Sequence, residues 1–336
     1  MTSFIPKKSR HLLAAALMFF AVTTGAFSQT SYETDIQKWR QEREASLKAE
    51  DGWLSVSGLF WLKEGTNTLG SDANRDIVLP DNSAPGKVGS LELRNGVVTL
   101  NVLDGVAASV NDHPARVQVL KSDADNQTPD SIKVGDLKLT IIKRGERIGL
   151  RVRDKNSRAR REFTGLRWFP VRDSYRVEAT FTPFEKPKEI SIINVLGDEV
   201  KMSNPGILSF KLNGRELQLK PVVEEEGKLF IIFRDLTAGK TNYPAGRFLD
   251  ADMPKDGKVI LDFNEATNPP CAFTSYATCP LPPRQNYLPV AIEAGEQSYH
   301  VKPPTKSKGP RAKGKEQRAK SKEAKRLLLA LCSLSA

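Results

Sequence analysis

The sequence predicts an all-β protein, with two β-sandwich or barrel-like units that follow a short N-terminal helix. Three observations predict this class. From residue 53 onward, short runs rich in Val, Ile, Leu and Phe alternate with Gly, Asn and Asp turns about every ten residues. Asn-Gly pairs at 95–96 and 213–214 supply the positive φ angles that a type I′ hairpin turn needs. No clean helical period longer than ten residues appears between residue 52 and the C-terminal tail.

Residues 1–28 have the features of an export signal. Three basic residues precede an apolar run of eleven, Leu12 to Val22, and Ala26-Phe27-Ser28 supplies the small residues of a cleavage site. Eleven apolar residues are too few to span a bilayer comfortably, and an uncleaved anchor is the alternative. We therefore expect a periplasmic or secreted mature chain without a transmembrane segment, in an oxidising compartment where cysteines can pair.

The order of elements follows from local signals. Ser31 can cap a helix that Gly52 ends, and a charged break at 154–163 interrupts the strand rhythm. These signals predict an N-terminal helix, a first β unit, a second β unit and a basic tail, over residues 29–52, 53–153, 164–300 and 301–336. One continuous β domain is the alternative, because all-β folds can exceed 200 residues.

The net charge of +11 is concentrated at the two ends of the chain. Residues 1–28 carry +3 and residues 301–336 carry +9, whereas residues 29–300 carry −1. A neutral body with a basic tail argues against a nucleic-acid partner for the fold. We expect the low-complexity tail to be solvated. Weak contact with anionic surfaces, through a short basic amphipathic helix at 316–331, is the alternative.

Residues 262–286 form a long segment that has neither a strand nor a helix period. Structureless loops of this length are uncommon in compact domains and tend to be functional or disordered. This one contains two phenylalanines, a tyrosine and a leucine that can be buried, and five prolines that restrict the unfolded chain. We therefore interpret it as an ordered loop that walls a ligand pocket.

Polar and aromatic residues in and near this loop are the candidate ligand contacts. They are Arg234, Asp235, Arg247, Asn264, Asn268, Asn286, Phe273 and Tyr276. Arginine forks would hold a carboxylate or phosphate, asparagines would bind hydroxyl groups, and an aromatic ring would stack on the ligand. The alternative is that these residues are structural. Asn and Asp beside Pro commonly cap turns, and an Arg–Asp pair is commonly a buried ion pair that holds two segments together.

The sequence therefore predicts an exported protein that binds a small polar or anionic ligand at a pocket walled by the 262–286 loop. A hydrolase is one alternative, with Asp262 and Glu296 sharing the acid and base roles as paired carboxylates do in glycosidases. A non-catalytic envelope structural or interaction module is another. No G-x-S-x-G elbow and no Walker or Rossmann glycine loop is present in the sequence, so we expect no cofactor.

Cys271 and Cys279 are eight residues apart and are bracketed by prolines. We interpret them as a disulfide, which would stabilise the fold by about 2.5 kcal/mol through loop closure. Buried free thiols are the alternative, followed by a metal or nucleophilic role. A zinc site or a Cys-His pair would need histidines, and the mature chain offers only His113 and His300. We therefore predict no metal.

Four blocks of the sequence are distinctive. They are GRFL at 246–249, the string at 261–286, AIEAGEQSY at 291–299 and DGWLSVSGLFWLKEGTNTLGSD at 51–72. Together they resemble the signature of the bacterial and archaeal family called domain of unknown function 1684. The resemblance covers about residues 33–300. It implies no particular activity, because the family has none established.

The first β unit resembles a forkhead-associated domain over residues 60–150. The matching signals are at 68–72, 76–81 and 134–139. Where that family has Gly-Arg and Ser-x-x-His to hold a phosphothreonine, this chain has Gly70-Ser71 and the stretch 84–87, Ala-Pro-Gly-Lys. The resemblance therefore implies the β-sandwich and not the ligand.

Overall fold

The computed structural model describes residues 31–124, 127–224 and 227–299. The chain begins with helix α1 (Ser31–Lys48) and continues almost entirely in strands, so the predicted all-β class after a short helix is confirmed. The first unit contains β1 Val56–Trp61, β2 Gly65–Gly70, β3 Ile77–Val78, β4 Gly89–Arg94, β5 Val97–Val102, β6 Ala108–Val110, β7 His113–Pro114, β8 Val117–Leu120, β9 Ile132–Val134, β10 Leu137–Arg144 and β11 Arg147–Asp154. A short helix, α2 (Arg158–Arg161), precedes β12 Arg176–Ile193, β13 Glu199–Leu212, β14 Arg215–Leu219, β15 Lys228–Phe233, β16 Arg247–Asp252 and β17 Lys258–Asp262.

The first unit is a sandwich of two sheets. One has six strands in the order β1-β11-β10-β9-β6-β7, and the other has five in the order β3-β2-β4-β5-β8. Inward-facing residues from both sheets, including Leu91 and Leu100 from one and Leu139 and Leu150 from the other, form one buried cluster. Along β4 and β5 about every second side chain is buried, as the alternating sequence pattern predicts, whereas β10 and β11 are buried along most of their length.

The hairpin turns lie where the Asn-Gly pairs predict them. Asn95 and Gly96 join β4 to β5 with φ angles of 49° and 81°, and Asn213 and Gly214 join β13 to β14 with 50° and 78°. Asparagine tolerates this left-handed region and glycine enters it without steric penalty. Local chemistry therefore fixes the register of these two hairpins.

The second unit is built around the 18-residue strand β12. β12 lies between β13 and β17 in a four-stranded sheet of order β14-β13-β12-β17, and β15 and β16 form a separate pair. The two sheets share one buried cluster with the segment that follows the 262–286 loop, including Phe210, Phe233, Leu261, Phe263 and Ile292. The long loop and the residues after it thus complete the core of this unit.

Helix α1 packs over the second unit and its loop. The Tyr32 hydroxyl donates to Asp262 Oδ2 at 2.7 Å, and Arg40 Nη2 donates to the Phe169 carbonyl at 2.9 Å. Glu44 Oε1 accepts from the Leu166 backbone N–H and from Trp168 Nε1, both at 3.0 Å. Polar side chains therefore fasten the helix along its length, which explains its sparse apolar stripe.

The charged break at 154–163 is a structured connection. It contains α2, whose cap Ser157 accepts from the Arg160 N–H at 3.2 Å and donates its hydroxyl to the Leu54 carbonyl at 2.6 Å. Among residues 31–299, apart from the two short gaps, no helix has both the length and the apolar character that a bilayer crossing requires. The predicted export signal and basic tail lie outside the described residues.

Glu44 provides a test of the helix attachment. We expect Glu44→Ala to lower the free energy of unfolding by about 1–3 kcal/mol, because two donors lose their shared acceptor. Chemical denaturation followed by tryptophan fluorescence measures this, since Trp168 is one of the donors. Glu42→Ala is the matched control, because Glu42 is on the same helix and makes only a loose pair with Lys38 at 3.9 Å. An equal loss in both variants would contradict the attachment.

Candidate functional site

The 262–286 loop is ordered by burial of its aromatic side chains. Phe263 is fully buried and packs edge-on against Phe233, with ring centroids 5.5 Å apart. Phe273 is buried beneath α1 with Leu47 and Leu54. Short 3₁₀ turns at Phe263–Glu265, Pro270–Ala272 and Arg284–Asn286 carry the chain between these anchors. The loop is therefore a packed element, as its composition indicates.

Arg247 is a buried structural residue and not a ligand contact, which corrects the expectation for it and for Asp235. Its guanidinium donates to Asp235 Oδ2 at 2.6 Å and to the Ile292 carbonyl at 2.9 Å, and also to the Ala294 carbonyl. Only 1% of the Arg247 side chain and 2% of the Asp235 side chain are exposed. Burial lowers the pKa of Arg247, and the Asp235 carboxylate opposes that shift.

The three asparagines also bond to the protein itself. Asn264 bonds both backbone groups of Arg172, at 3.1 Å to its N–H and 2.9 Å to its carbonyl, and Asn286 does the same for Lys220 at 2.8 and 3.0 Å. Asn268 donates to the Gln297 carbonyl at 2.7 Å. All three side chains are almost completely buried. Their hydrogen bonds therefore fix the loop, and they are not exposed to a ligand.

Of the remaining candidates, only Tyr276 faces a space that can hold a ligand. Arg234 donates to the Pro244 carbonyl at 3.2 Å and stacks over the Tyr287 ring at 5.5 Å. Phe273 belongs to the buried cluster beneath α1. Tyr276 is 39% exposed and lines an open groove against the first unit.

The two candidate catalytic carboxylates are separated along helix α1. Asp262 accepts from the Tyr32 hydroxyl, whereas Glu296 accepts from Arg43 Nε at 2.8 Å and from the Asn268 N–H at 2.7 Å. Tyr32 and Arg43 are eleven residues apart, which is about 16 Å along a helix. The Glu296 side chain is 0% exposed, and its burial raises its pKa. Each carboxylate is therefore bonded to a different part of helix α1.

The groove that Tyr276 lines has a volume of about 730 Å³. Its walls come from β1, from the loop after β3 and from the connection that carries α2. They are Ser57, Phe60, Val78, Leu79, Pro80, Asp81, Asn82, Ser83, Asp154, Asn156, Ser157, Arg158, Arg161 and Tyr276. Sequence reasoning missed this groove because four separate segments build it, the fourth being the loop stretch at Tyr276. The basic run at 158–161 was the available signal.

The charged side chains along the groove differ in how far their hydrogen-bonding groups are already paired within the protein. Arg158 Nε pairs with Glu162 Oε1 at 2.7 Å, and Asp154 accepts from Ser83 Oγ at 3.0 Å. Arg161 is exposed and donates one N–H to the Asn156 carbonyl. A guanidinium has five N–H donors, so Arg161 retains donors for a bound group.

Cys271 and Cys279 are adjacent free thiols in this structure, so the predicted disulfide is not formed here. The Cys271 N–H donates to Cys279 Sγ at 3.1 Å, and the Tyr243 hydroxyl donates to the Cys271 carbonyl at 3.3 Å. Within the described residues, no group of three or more His, Cys, Asp or Glu side chains is arranged to hold a metal ion.

Glu265 is a partly buried carboxyl that sequence reasoning did not single out. Burial raises the pKa of Glu265 to about 7, and the neighbouring Asp262 charge adds to the shift. No apolar pattern or motif marks this residue, because the cause is desolvation by the folded chain. It makes the loop region sensitive to pH.

Comparison with known proteins identifies a family for the second unit. Residues 161–297 match the family described as "Protein of unknown function (DUF1684)". The solution NMR structure of the uncharacterized protein from gene locus rrnAC0354 of Haloarcula marismortui is 37% identical over 41% of this chain and 78% of that one, with a TM-score of 0.35. No curated protein matches the chain.

Over part of its length the chain is also similar to solved forkhead-associated domains. The FhaA FHA domain, solved in complex with the intracellular domain of Rv3910, is 20% identical over 28% of this chain and 97% of that domain, with a TM-score of 0.21. A second structure, described as a phosphothreonine-dependent FHA domain interaction, gives the same identity and TM-score. The resemblance stated from the sequence is thus matched at low coverage.

The Arg247–Asp235 pair gives a stability prediction. We expect Arg247→Ala to lower the free energy of unfolding by about 3–5 kcal/mol, because the Asp235 charge would be left buried without its partner. Urea denaturation measures the change. Arg215→Ala is the control, since Arg215 is exposed on β14 and makes one long bond at 3.3 Å to the Pro289 carbonyl. A folded Arg247→Ala protein of parental stability would refute the structural role.

Glu265 gives a pH prediction. Since its pKa is raised from 4.5 to about 7 in the folded state, the stability that it contributes is complete below about pH 4.5 and is lost as the pH rises through 7. Between pH 4.5 and 7 the free energy of unfolding of the parent should therefore decline. We expect this decline to be about 1 kcal/mol smaller in Glu265→Gln, a value that allows for the partial exposure of the Glu265 side chain. Denaturation at each pH measures this, with the exposed Glu293→Gln as control. Parallel curves for Glu265→Gln and the parent would disprove it.

Proposed function

We propose that this chain, which belongs to the DUF1684 family, is an exported binding protein whose groove holds a small polar ligand with an anionic group. The observation that carries the proposal is the open space of about 730 Å³ between the first unit and Tyr276 of the 262–286 loop. Small-molecule sites are commonly clefts of about 300–1,000 Å³ with a few polar groups that fix orientation. Export is inferred from residues 1–28 alone.

Arg161 is the group that would bind the anionic end of the ligand. It is exposed, lies on α2 and has N–H donors beyond the one that bonds Asn156. Planar guanidinium forks match the two oxygens of a carboxylate or phosphate. Arg158 adds positive charge next to it, although Glu162 partly neutralises that charge.

The rest of the groove favours a ligand with hydroxyl or amide groups and one flat face. Asp81 and Asn82 are exposed in the loop after β3 and offer acceptors and donors. The negative charge of Asp81 disfavours a ligand that is anionic throughout, so the anionic group should be confined to the Arg161 end. Tyr276 and Phe60 supply aromatic surface for stacking.

The alternatives have less support. A hydrolase using Asp262 and Glu296 would need both carboxylates at one space, but neither lines the groove, and their partners on α1 are eleven residues apart. A non-catalytic interaction module is favoured by the inward packing of most loop residues. It differs from the binding proposal in predicting no small-molecule affinity at the groove.

Binding is tested by calorimetric titration with inorganic phosphate, citrate, glucose 6-phosphate and glucose. We expect glucose 6-phosphate to bind more tightly than glucose, because only the former has an anionic end. Arg161→Ala should weaken that binding at least tenfold and Tyr276→Ala about fivefold, consistent with the loss of a charged fork and a stacked ring. Lys133→Ala, on β9 outside the groove, is the control and should bind as the parent does.

Two outcomes would reject the proposal. One is the absence of heat with every probe at millimolar concentration, which favours an interaction module. The other is binding that Arg161→Ala and Tyr276→Ala leave unchanged, which would mean that the probe occupies another surface.

A further inference from the structure

The two thiols of the loop differ in their surroundings. Cys279 is 5% exposed, and its sulfur accepts the Cys271 N–H at 3.1 Å, whereas Cys271 is only partly buried. The neighbouring Cys279 side chain lowers the pKa of Cys271. Burial raises the pKa of Cys279. The pair therefore combines a more acidic, more accessible thiol with a protected one.

A buried arginine, two of whose nitrogens lack an acceptor, lies within electrostatic range of this pair. Arg151 is on β11, where it is paired with Leu59 of β1 and Thr140 of β10, and it is only 7% exposed. Its Nε and Nη2 atoms are buried and have no hydrogen-bond partner among the described residues. The Trp53 ring packs against it, with the guanidinium carbon 5.2 Å from the ring centroid.

The loop covers this arginine by direct bonds to the first unit. Arg144 Nε donates to Thr278 Oγ1 at 3.0 Å, and Thr274 Oγ1 donates to the Val56 carbonyl at 3.2 Å. The two contacts thus attach the stretch 274–278, which lies between the two cysteines, to the first unit. They bring the cysteines within electrostatic range of Arg151, whose charge contributes to the lowered pKa of Cys271.

A buried cation needs an anion nearby, because an unpaired buried charge is costly. Burial, with the Arg144 and Arg153 charges, lowers the pKa of Arg151 to about 10, so it stays positive at neutral pH. The carboxylate that acts on it, Asp123, is already paired with Arg144 at 2.9 Å. The remaining anion that the site can form is a thiolate, since the Tyr243 hydroxyl also near the pair has a raised pKa.

We propose that Cys271 and Cys279 form a redox couple in which the Cys271 thiolate, stabilised by the Arg151 guanidinium, exchanges with small-molecule disulfides. The Cys271 thiolate attacks one sulfur of the reagent disulfide, a mixed disulfide forms, and the other half leaves as a thiolate. That thiolate takes the Cys279 proton. Cys279 then attacks the Cys271 sulfur and releases the second half as a thiolate, which takes up from solvent the proton that Cys271 had lost. Two protein thiols are thus oxidised and one reagent disulfide is reduced to two thiols.

The exchange is tested with oxidised glutathione at pH 7 on the folded chain carrying Cys332→Ser, which leaves only the pair. Mass spectrometry after acid quenching should show the loss of two hydrogens in this parent. Cys279→Ser should accumulate a glutathione adduct on Cys271, and Cys271→Ser should accumulate none. Thiols that react only in urea, or an adduct that forms on Cys279 first, would overturn the proposal.

The role of Arg151 is tested by the rate of the first step. Arg151→Met removes the charge and keeps much of the volume, and we expect it to slow adduct formation on Cys271 at least tenfold. Arg153→Met is the matched control, since Arg153 is two residues along β11 and also lies near Trp53; its rate should stay within twofold of the parent.

A second measurement needs no arginine variant. The pH profile of iodoacetamide alkylation of Cys271, in Cys279→Ala and in the parent, reports when the thiolate forms. We expect the parent to reach half its maximal rate below pH 8.5, the ordinary value for a cysteine, and Cys279→Ala to shift upward because the stabilising thiol of Cys279 is lost. A parent midpoint at or above 8.5 would refute a stabilised thiolate.

Discussion

The buried ion pair between Arg247 and Asp235 is the interaction on which the rest of the second unit depends. Arg247 starts β16, and its guanidinium bonds the carbonyls of Ile292 and Ala294, so it fixes the segment that follows the long loop. Glu296 comes two residues later and accepts from Arg43 of α1 and from the Asn268 N–H. One buried charge therefore positions a second, which ties the helix to the loop.

This sequence of contacts explains why the loop has few groups left for function. Its asparagines hydrogen-bond to backbone groups that have no partner in a strand ladder, and its phenylalanines fill the core. The polar residues that suggest a binding site therefore satisfy the hydrogen-bonding groups of the protein itself. Gly295 shows how tight the packing is, because a Cβ there would lie 2.3 Å from the Ala266 carbonyl oxygen. The exposed residues of the loop are Ser275 and Tyr276, with Arg284 and Gln285 near its end.

Local chemistry determined what could be predicted from the sequence. The Asn-Gly turns, the alternating strands and helix α1 follow from residues close together in the chain, and the loop's order follows from its aromatic content. The groove, the Arg151 environment and the Tyr32–Asp262 bond depend on residues that are far apart in sequence, 230 positions in the last case. The sequence suggested Arg247 as a ligand contact, but a charged residue type alone does not reveal whether its partner is a ligand or a carboxylate such as that of Asp235.

The groove and the thiol pair share one segment, and this has a thermodynamic consequence. Tyr276 lies between Cys271 and Cys279, so a ligand that orders Tyr276 and a disulfide that closes the turn restrict the same residues. If the disulfide holds the Tyr276 ring in the position that binds the ligand, oxidation increases the affinity for the ligand. By thermodynamic reciprocity, the bound ligand then favours disulfide formation by the same factor. If closure moves the ring away from the groove wall, both effects reverse in sign together. The two proposals are therefore coupled through eight residues of chain, although each is tested on its own.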